Sequence, residues 1–576
     1  MKELVLLGDE AIAVGALHAG VSGCFGYPGT PSTEILEYLV NNYEKTGGPV
    51  AQWCANEKTA YETALGVSFA GKRAIVTMKH VGLNVAADPF MNSSLLQIKG
   101  GLVCIVADDP QMHSSQGEQD TRYYADFAMV PLFEPTNQQE AYEMMGEAFE
   151  VSERHHVPVI MRMVTRLAHS RAIVRVQDQR RSENVSAKGL PQDWMLLPAL
   201  AMKNYRKMIE KQSDLQSWAN ANPRNKLVLN PKRTDLAIIT SGLGRNYFEE
   251  NRADYEASCG EAGLPSRLHI SGMPLPASLI RQIADSAETV LVIEEGMPFI
   301  ERQLKGLVPG KNTITGKLSG ALPRVGELNP DIVRAALGLA PRESALDGLE
   351  LPSLSGRPPQ LCKGCPHHDS YSSLNLAVER LNAKEGAVST AVCADIGCYA
   401  LGAASPLRAV ETIVCMGASI GMARGAAEAG VKYSFGVIGD STFLHSGLTG
   451  IVDAVSTKTP MTVIILDNSI VAMTGCQPTM LPSSQLEKIV VGLGVDPAHV
   501  RVLDTKPDKV EENAQIIMEE AEYRGLSVLI LVRECLEAFR MRRKKEANAN
   551  VCPNDGIGPQ FRPGAEVDPR FSVSGL

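Results

Sequence analysis

Gly439-Asp440-Ser441-Thr442-Phe443, with Leu466-Asp467-Asn468-Ser469 close behind it, decides how this chain is read. Each stretch closes an apolar run, Tyr433–Ile438 and Met461–Leu466, with the length and composition of a buried parallel strand. Leu444–Thr457 between them has helical spacing, so the unit is strand, helix, strand. Asp440 and Asn468 then stand at the carboxyl ends of two strands of one sheet, the edge where open α/β sheets bind ligands. A carboxylate and an amide oxygen are hard donors that can share one Mg²⁺ or Ca²⁺ with diphosphate oxygens. Taken alone, the same residues equally suit a strand turning into a helix cap.

The 576 residues allow about three to four domains. A 44% hydrophobic, 21% charged composition is ordinary for a globular protein. A net charge of −9 and a pI near 5.8 argue against a nucleic-acid partner. The basic run Arg540–Lys545 reads as a solvated helix face. No apolar run approaches the ~18 residues of a membrane span. The start, Met1-Lys2-Glu3-Leu4, enters a strand-like run with no signal-peptide pattern, so a cytoplasmic protein is expected.

Alternating strand and helix patterns divide the chain into three α/β units, each predicted to be a doubly wound parallel sheet. Residues 1–195 hold strand-like Gly23–Gly26, Ala74–Met78, Leu102–Ala107 and Val157–Met163. Residues 196–232 are polar and helical and read as a connector. A second unit, 233–345, opens at Leu236–Gly242 and includes Arg267–Ile270 and Val290–Glu294. A Pro/Ser/Gly linker, 346–360, leads to the third unit, 361–545. Residues 546–576 show no period and are expected to be an extension.

Most of the twelve cysteines, among them Cys24, Cys54, Cys104, Cys393 and Cys415, lie in apolar runs and read as small core residues. Cys362 and Cys365 sit instead in a polar loop, Cys362-Lys363-Gly364-Cys365-Pro366-His367-His368. One CxxC without a second excludes a four-cysteine zinc ribbon and leaves redox chemistry or cluster ligation open.

Three stretches share one resemblance. They are Gly26-Tyr27-Pro28-Gly29-Thr30-Pro31-Ser32-Thr33-Glu34 with Ala55-Asn56-Glu57; Cys362–His367 with Asp395-Ile396-Gly397-Cys398-Tyr399; and the Asp440/Asn468 pair running on to Met473-Thr474-Gly475-Cys476-Gln477. Together, over roughly residues 1–540, they resemble the 2-oxoacid:ferredoxin oxidoreductases, most closely the alpha subunits of the indolepyruvate enzymes. The family form of the diphosphate motif opens Gly-Asp-Gly; Ser441 stands third here.

The resemblance implies, in order, a pyrimidine-binding, a transketolase-C-terminal-like and a diphosphate-binding domain, with thiamine diphosphate between the first and third. It implies that Glu57 acts on the aminopyrimidine ring, where a carboxylic acid against N1′ lets the 4′-amino group take the thiazolium C2 proton. It assigns Asp440, Asn468 and the Ile470 carbonyl to Mg²⁺, and Gly417, Ala418, Ser419, Gly439 and Ser441 to cofactor contact. Thr30 matches a hydroxyl that holds the substrate carboxylate, and Arg122 is a candidate second partner for it. Cys362, Cys365, Cys398 and Cys535 correspond to the ligands of one [4Fe–4S] cluster.

The implied activity is oxidative decarboxylation of a 2-oxoacid, an arylpyruvate such as indolepyruvate or phenylpyruvate, to an acyl-coenzyme A. Electrons would pass through the cluster to ferredoxin or an iron–sulfur partner. The implied assembly is a hetero-oligomer with a dimeric core and a small beta subunit. The sequence given lacks the paired CxxCxxCxxxCP runs common at the family's C-terminus, with Cys552-Pro553 the only echo, so a partner is expected to carry the electrons onward. A non-oxidative thiamine-dependent decarboxylase or carboligase is the alternative, and a scaffold subunit would not need intact Glu57, Asp440 and Asn468.

Overall fold

Met461–Asp467 and Tyr433–Gly439 pair in parallel, with Gly439 opposite Leu466. Continued by one residue, this register sets Asp440 beside Asp467, with Asn468 next along the same strand end. All seven residues of both strands are buried, which is why the sequence reads there as unbroken apolar runs. The computed structural model describes residues 2–43, 48–177, 186–307, 310, 312–342, 360–386 and 388–551, with backbone alone at 305 and 545–551. The chain forms two compact units that divide near residue 350. The expected linker falls almost wholly outside the described residues, as does the tail beyond 551.

The second unit holds a six-stranded, all-parallel sheet. Its spatial order is Thr412–Ile413, Thr390–Ala394, Tyr433–Gly439, Met461–Asp467, Leu526–Val532 and Val500–Asp504. Apolar side chains cover both faces: Ile420, Ile451 and Val490 on one, Tyr371, Leu374 and Ile517 on the other. The helical chain starts at Asp440 itself, passes a widened turn over Phe443–Gly447 and continues as Leu448–Thr457. The last helix, Leu536–Val551, runs past the boundary expected at 545, and Arg540 to Lys544 are exposed on it.

Besides a two-stranded antiparallel ladder, Lys2–Leu7 with Arg171–Val176, the first unit contains two large sheets. One has seven strands ordered Gly272–Met273, Leu132–Phe133, Val159–Val164, Leu102–Asp108, Ala74–Lys79, Gly23–Gly26 and Val50–Trp53. The other has five, ordered Thr313–Thr315, Thr289–Ile293, Leu236–Ser241, Ser266–Ile270 and Lys226–Val228. Two departures from the sequence reading stand out. The end of the helical connector, Lys226–Val228, joins the second sheet as an antiparallel edge strand after the helix Pro198–Ala221. The two α/β segments also share a core, since Ile238, Leu243 and Ile293 pack in one apolar cluster with Val103, Ile105 and Phe149.

The cysteine reading holds in part. Cys24, Cys104 and Cys393 are buried, but Cys54 is only half-buried and Cys415 is exposed. Cys415 follows the short edge strand Thr412–Ile413, where one side of the chain faces water. Among the described residues no helix is long and apolar enough to cross a membrane.

Candidate active site

In the second unit the strand ends carry a dense set of donors. Asp440 and Asp467 are both buried, and Ser469 N–H donates to Asp440 Oδ2 at 2.9 Å and to Asp467 Oδ1 at 3.1 Å. Burial, then the charge of Asp467, pushes the Asp440 carboxyl well above its ordinary range. Asp467 Oδ2 and Ser441 Oγ are buried with no hydrogen-bond partner. Two packed carboxylates with an orphaned oxygen between strand ends fit a divalent cation, which would supply the missing charge. Asp467 escapes the sequence reading because it closes an apolar strand; its partnerless oxygen singles it out only in three dimensions.

Asn468 is also buried; its Oδ1 accepts from Ile470 N–H at 3.1 Å, and its Nδ2 lies 3.3 Å from His367 Nε2. Gly417 has φ +85°, and an added Cβ would lie 2.6 Å from Ser446 Cβ, so only glycine serves in this loop. Asp395 Oδ2 gathers the loop by accepting from Gly417 N–H at 3.1 Å and from Ser419 Oγ at 2.7 Å, while Tyr399 Oη binds its other oxygen. Burial pushes Asp395 up to about 6 against those hydrogen bonds.

Four cysteines predicted to act together come from three loops bound to this same edge. Cys365 lies two residues before His367, which meets Asn468. Cys398 follows Ile396, whose carbonyl accepts from Thr442 Oγ1 at 3.1 Å. Cys535 N–H donates to the Asn468 carbonyl at 3.3 Å. Burial raises the Cys398 thiol to about 12, with Cys365, Cys535, Cys362 and Cys476 adding to the rise, so these cysteines are near enough to act on one another's charge. Cys476, in the Met473–Gln477 motif, is the member that the sequence reading did not include. A zinc ion with sulfurs at about 2.3 Å would bring them within about 4 Å of one another. No three of these thiols lie within 4.8 Å of one another. Thiols in this number at one strand edge are the donor type that thiolate-held metal centres use.

In the first unit Glu57 opens the helix Glu57–Phe69 behind the cap Asn56 and is only 5% exposed. Gly82 lies against it, and a Cβ there would come within 2.5 Å of Glu57 Oε1. Next to Gly82, His80 is buried and its Nε2 lies 3.0 Å from the Gly117 carbonyl. A carbonyl can only accept, so Nε2 carries the proton, and Nδ1 is left buried without a partner.

Thr30 sits half-buried in the loop after Gly23–Gly26, where its carbonyl accepts from Ser114 Oγ at 3.3 Å. Lys79, at the carboxyl end of the neighbouring strand, stands beside that loop: a Cβ on Gly29 would lie 3.2 Å from Lys79 Cβ. Its ammonium donates to the Ser114 carbonyl at 2.7 Å and lies 4.0 Å from Asp109. Burial lowers the Lys79 ammonium to about 8, against the pull of Asp109. A strand-end lysine inside an apolar run gave no sequence signal.

Arg122 does not meet the expectation of a substrate-carboxylate partner. It is fully buried, and its guanidinium binds Asp120, Glu294, Ser241 and the carbonyls of Glu295 and Met297. All five N–H groups are thus committed, and none is left for a ligand. Beside it Arg162 binds Asp108 and Glu134. The pair forms a charged link between the seven-stranded and five-stranded sheets of this unit.

Comparison with known proteins agrees with both regions. Residues 14–206 match the family model "Pyruvate flavodoxin/ferredoxin oxidoreductase, thiamine diP-bdg", and residues 395–528 match "Thiamine pyrophosphate enzyme, C-terminal TPP binding domain". The indolepyruvate oxidoreductase subunit IorA of Methanothermobacter marburgensis is 36% identical over 92% of this chain and 87% of its own length. That of Archaeoglobus fulgidus is 35% identical over 95% and 88%. The 2-oxoglutarate synthase subunit KorA of Methanocaldococcus jannaschii is 27% identical over 31% of this chain and 50% of its own. With both thiamine-diphosphate regions matched and near-full-length identity above a third, this chain belongs to the thiamine-diphosphate-dependent 2-oxoacid oxidoreductases, in the family of indolepyruvate oxidoreductase subunit IorA.

Proposed function

We propose that this chain is the alpha subunit of an enzyme that oxidatively decarboxylates an arylpyruvate, such as indolepyruvate or phenylpyruvate, to an acyl-coenzyme A. Its electrons leave through a [4Fe–4S] cluster to ferredoxin or an iron–sulfur partner, and a small beta subunit completes the enzyme. The observation that carries the reading is the thiol group of Cys362, Cys365, Cys398 and Cys535, held by hydrogen bonds against the Asp440–Asn468 edge.

Thiamine diphosphate, when bound, supplies a nucleophilic ring carbon and a sink for the electrons that decarboxylation releases. The chain's own residues do the rest. Asp440, Asn468 and the Ile470 carbonyl hold Mg²⁺ and through it the diphosphate, with Asp467 as a further acidic neighbour. Gly439, Ser441, Gly417, Ala418 and Ser419 bring backbone and small side chains close to the cofactor. Glu57 holds a proton at N1′ of the aminopyrimidine, and Gly82 leaves room for that carboxyl. Thr30 and Lys79 hold the substrate carboxylate, the role first expected of Arg122.

The test is anaerobic reconstitution of wild type and Cys398→Ser with iron and sulfide counted per chain. About four irons in wild type, and a marked loss in the variant, supports the reading. Equal iron in both, or none in either, overturns it in favour of a non-oxidative decarboxylase.

A further inference from the structure

Away from the thiol group and the Asp440 edge, three side chains from separate elements converge in the first unit. Asp9 stands in the first turn of the helix Gly8–His18, Glu34 in the first turn of Thr33–Asn42, and His169 ends Thr165–His169. One ligand atom from each lies within 4.8 Å of the other two, the only such group of histidine, cysteine and carboxylate donors among the described residues. The backbone explains the meeting. Lys2–Leu7 pairs antiparallel with Arg171–Val176, Leu7 opposite Arg171, so the helix that follows one strand and the helix that precedes the other start from the same end of the ladder. Gly8 has no room for a Cβ against the Leu167 carbonyl, so the two segments are pressed together.

Asp9 gives this cluster its direction. It is 0% exposed, and neither carboxylate oxygen has a hydrogen-bond partner. Its ionisable neighbours are Glu34 and Glu10, both acidic, and the Glu10 carboxylate is already taken by Leu7 N–H at 2.8 Å. Glu34 Oε2 lies 3.5 Å from His169 Nε2. A buried carboxylate packed against the Glu34 carboxyl, with no N–H or hydroxyl donor of its own and a histidine as the one basic group in the cluster, is costly unless a cation or a shared proton supplies the balance. His169 is about a third exposed, which leaves a path from solvent to the cluster.

We infer that Asp9, Glu34 and His169 form a binding site for a divalent first-row transition cation, separate from the thiamine-diphosphate metal. Two carboxylates favour a hard divalent ion, and the imidazole shifts the preference from Mg²⁺ and Ca²⁺ toward Mn²⁺, Fe²⁺, Co²⁺ or Zn²⁺. Glu34 is four residues beyond Thr30, so a cation here pins the base of the Thr30 loop to two other elements.

Co²⁺ is a suitable probe because its visible bands separate oxygen and nitrogen ligands from thiolate. The full chain, reduced and free of thiamine diphosphate, is titrated with Co²⁺ as wild type, Asp9→Asn and His169→Ala. Bound metal is counted by equilibrium dialysis. Wild type should bind one equivalent more than either variant, the extra ion showing oxygen/nitrogen-type bands that both variants lose or bind at least tenfold more weakly; the Co²⁺ taken by the Asp440 edge and any thiolate bands should be equal in all three. Without metal, Asp9→Asn should melt no lower than wild type, since it removes an uncompensated buried acid. Equal binding by wild type and both variants would overturn the inference and leave Asp9 and Glu34 as an acid pair sharing a proton. If Asp9→Asn does not fold, His169→Ala, altered at a partly exposed position, decides the matter by the same count.

Discussion

The main-chain N–H of Cys535 donates to the carbonyl of Asn468 at 3.3 Å, joining a thiol loop to the loop that carries a metal donor. The bond runs through backbone, so it survives loss of the sulfur. Cys535→Ala should therefore remove most of the reconstituted iron while leaving thiamine diphosphate affinity within about twofold, well under the ~1.4 kcal/mol of a tenfold change. Iron analysis beside a cofactor titration on the same sample checks this. Parallel loss of both would show that Cys535 supports the loop and ligates nothing.

Asp440→Ala should weaken Mg²⁺-dependent thiamine diphosphate binding by about 10- to 100-fold, the worth of one charge-assisted contact. Asp467 would remain, but without its pair the site loses half of its charge. Titration calorimetry with and without Mg²⁺ provides the reading, and a cofactor that binds equally well without Asp440 would remove it from the metal site.

Glu57→Gln should still bind the cofactor but slow exchange of the thiazolium C2 proton by about 10²- to 10⁴-fold, because an amide cannot hold the N1′ proton. Gly82→Ala should give a milder slowing by pushing on Glu57 Oε1. Proton exchange followed by NMR separates the two. A wild-type rate in Glu57→Gln would reduce Glu57 to a helix-start residue.

Lys79→Met should raise KM for the 2-oxoacid by about 10- to 100-fold through loss of a charged hydrogen bond, with a smaller effect on kcat. Because Lys79 is held down to about 8, wild-type KM should climb as pH rises through that value, and the variant should lack the climb. Stability runs the opposite way. Between about pH 8 and the ordinary 10.5 the unfolded chain binds the Lys79 proton and the folded chain does not, so folding stability rises with pH in that window. Steady-state kinetics across pH 7–9 check the first statement, and denaturant melts over the higher window check the second.

Arg122→Met should destabilise the protein by about 3–5 kcal/mol, since it leaves Glu294 buried with only backbone donors and Asp120 with Arg162 as its remaining cation. Its substrate KM, measured on the folded fraction, should stay near wild type. A large KM increase at unchanged stability would return Arg122 to the substrate.

The strand-end positions of Asp440 and Asn468 were legible in the sequence because parallel strands buried on both faces leave unbroken apolar runs. The residues just beyond those runs must then lie on the ligand edge. The helix-first position of Glu57 was legible for a similar local reason, a cap followed by small residues. Position along the chain could not tell Arg122 from a ligand-binding arginine. Only the second sheet, more than a hundred residues away, brings Glu294 and the carbonyls that use up its donors. Lys79, Asp467 and Asp9 stayed hidden for the same reason. Each is one polar residue at the end or start of an ordinary element, and its meaning depends on which partners the fold supplies or withholds. Local sequence determined where the strands end and what they present there; tertiary packing decided which charges are neutralised, because desolvation and pairing are set by distant neighbours.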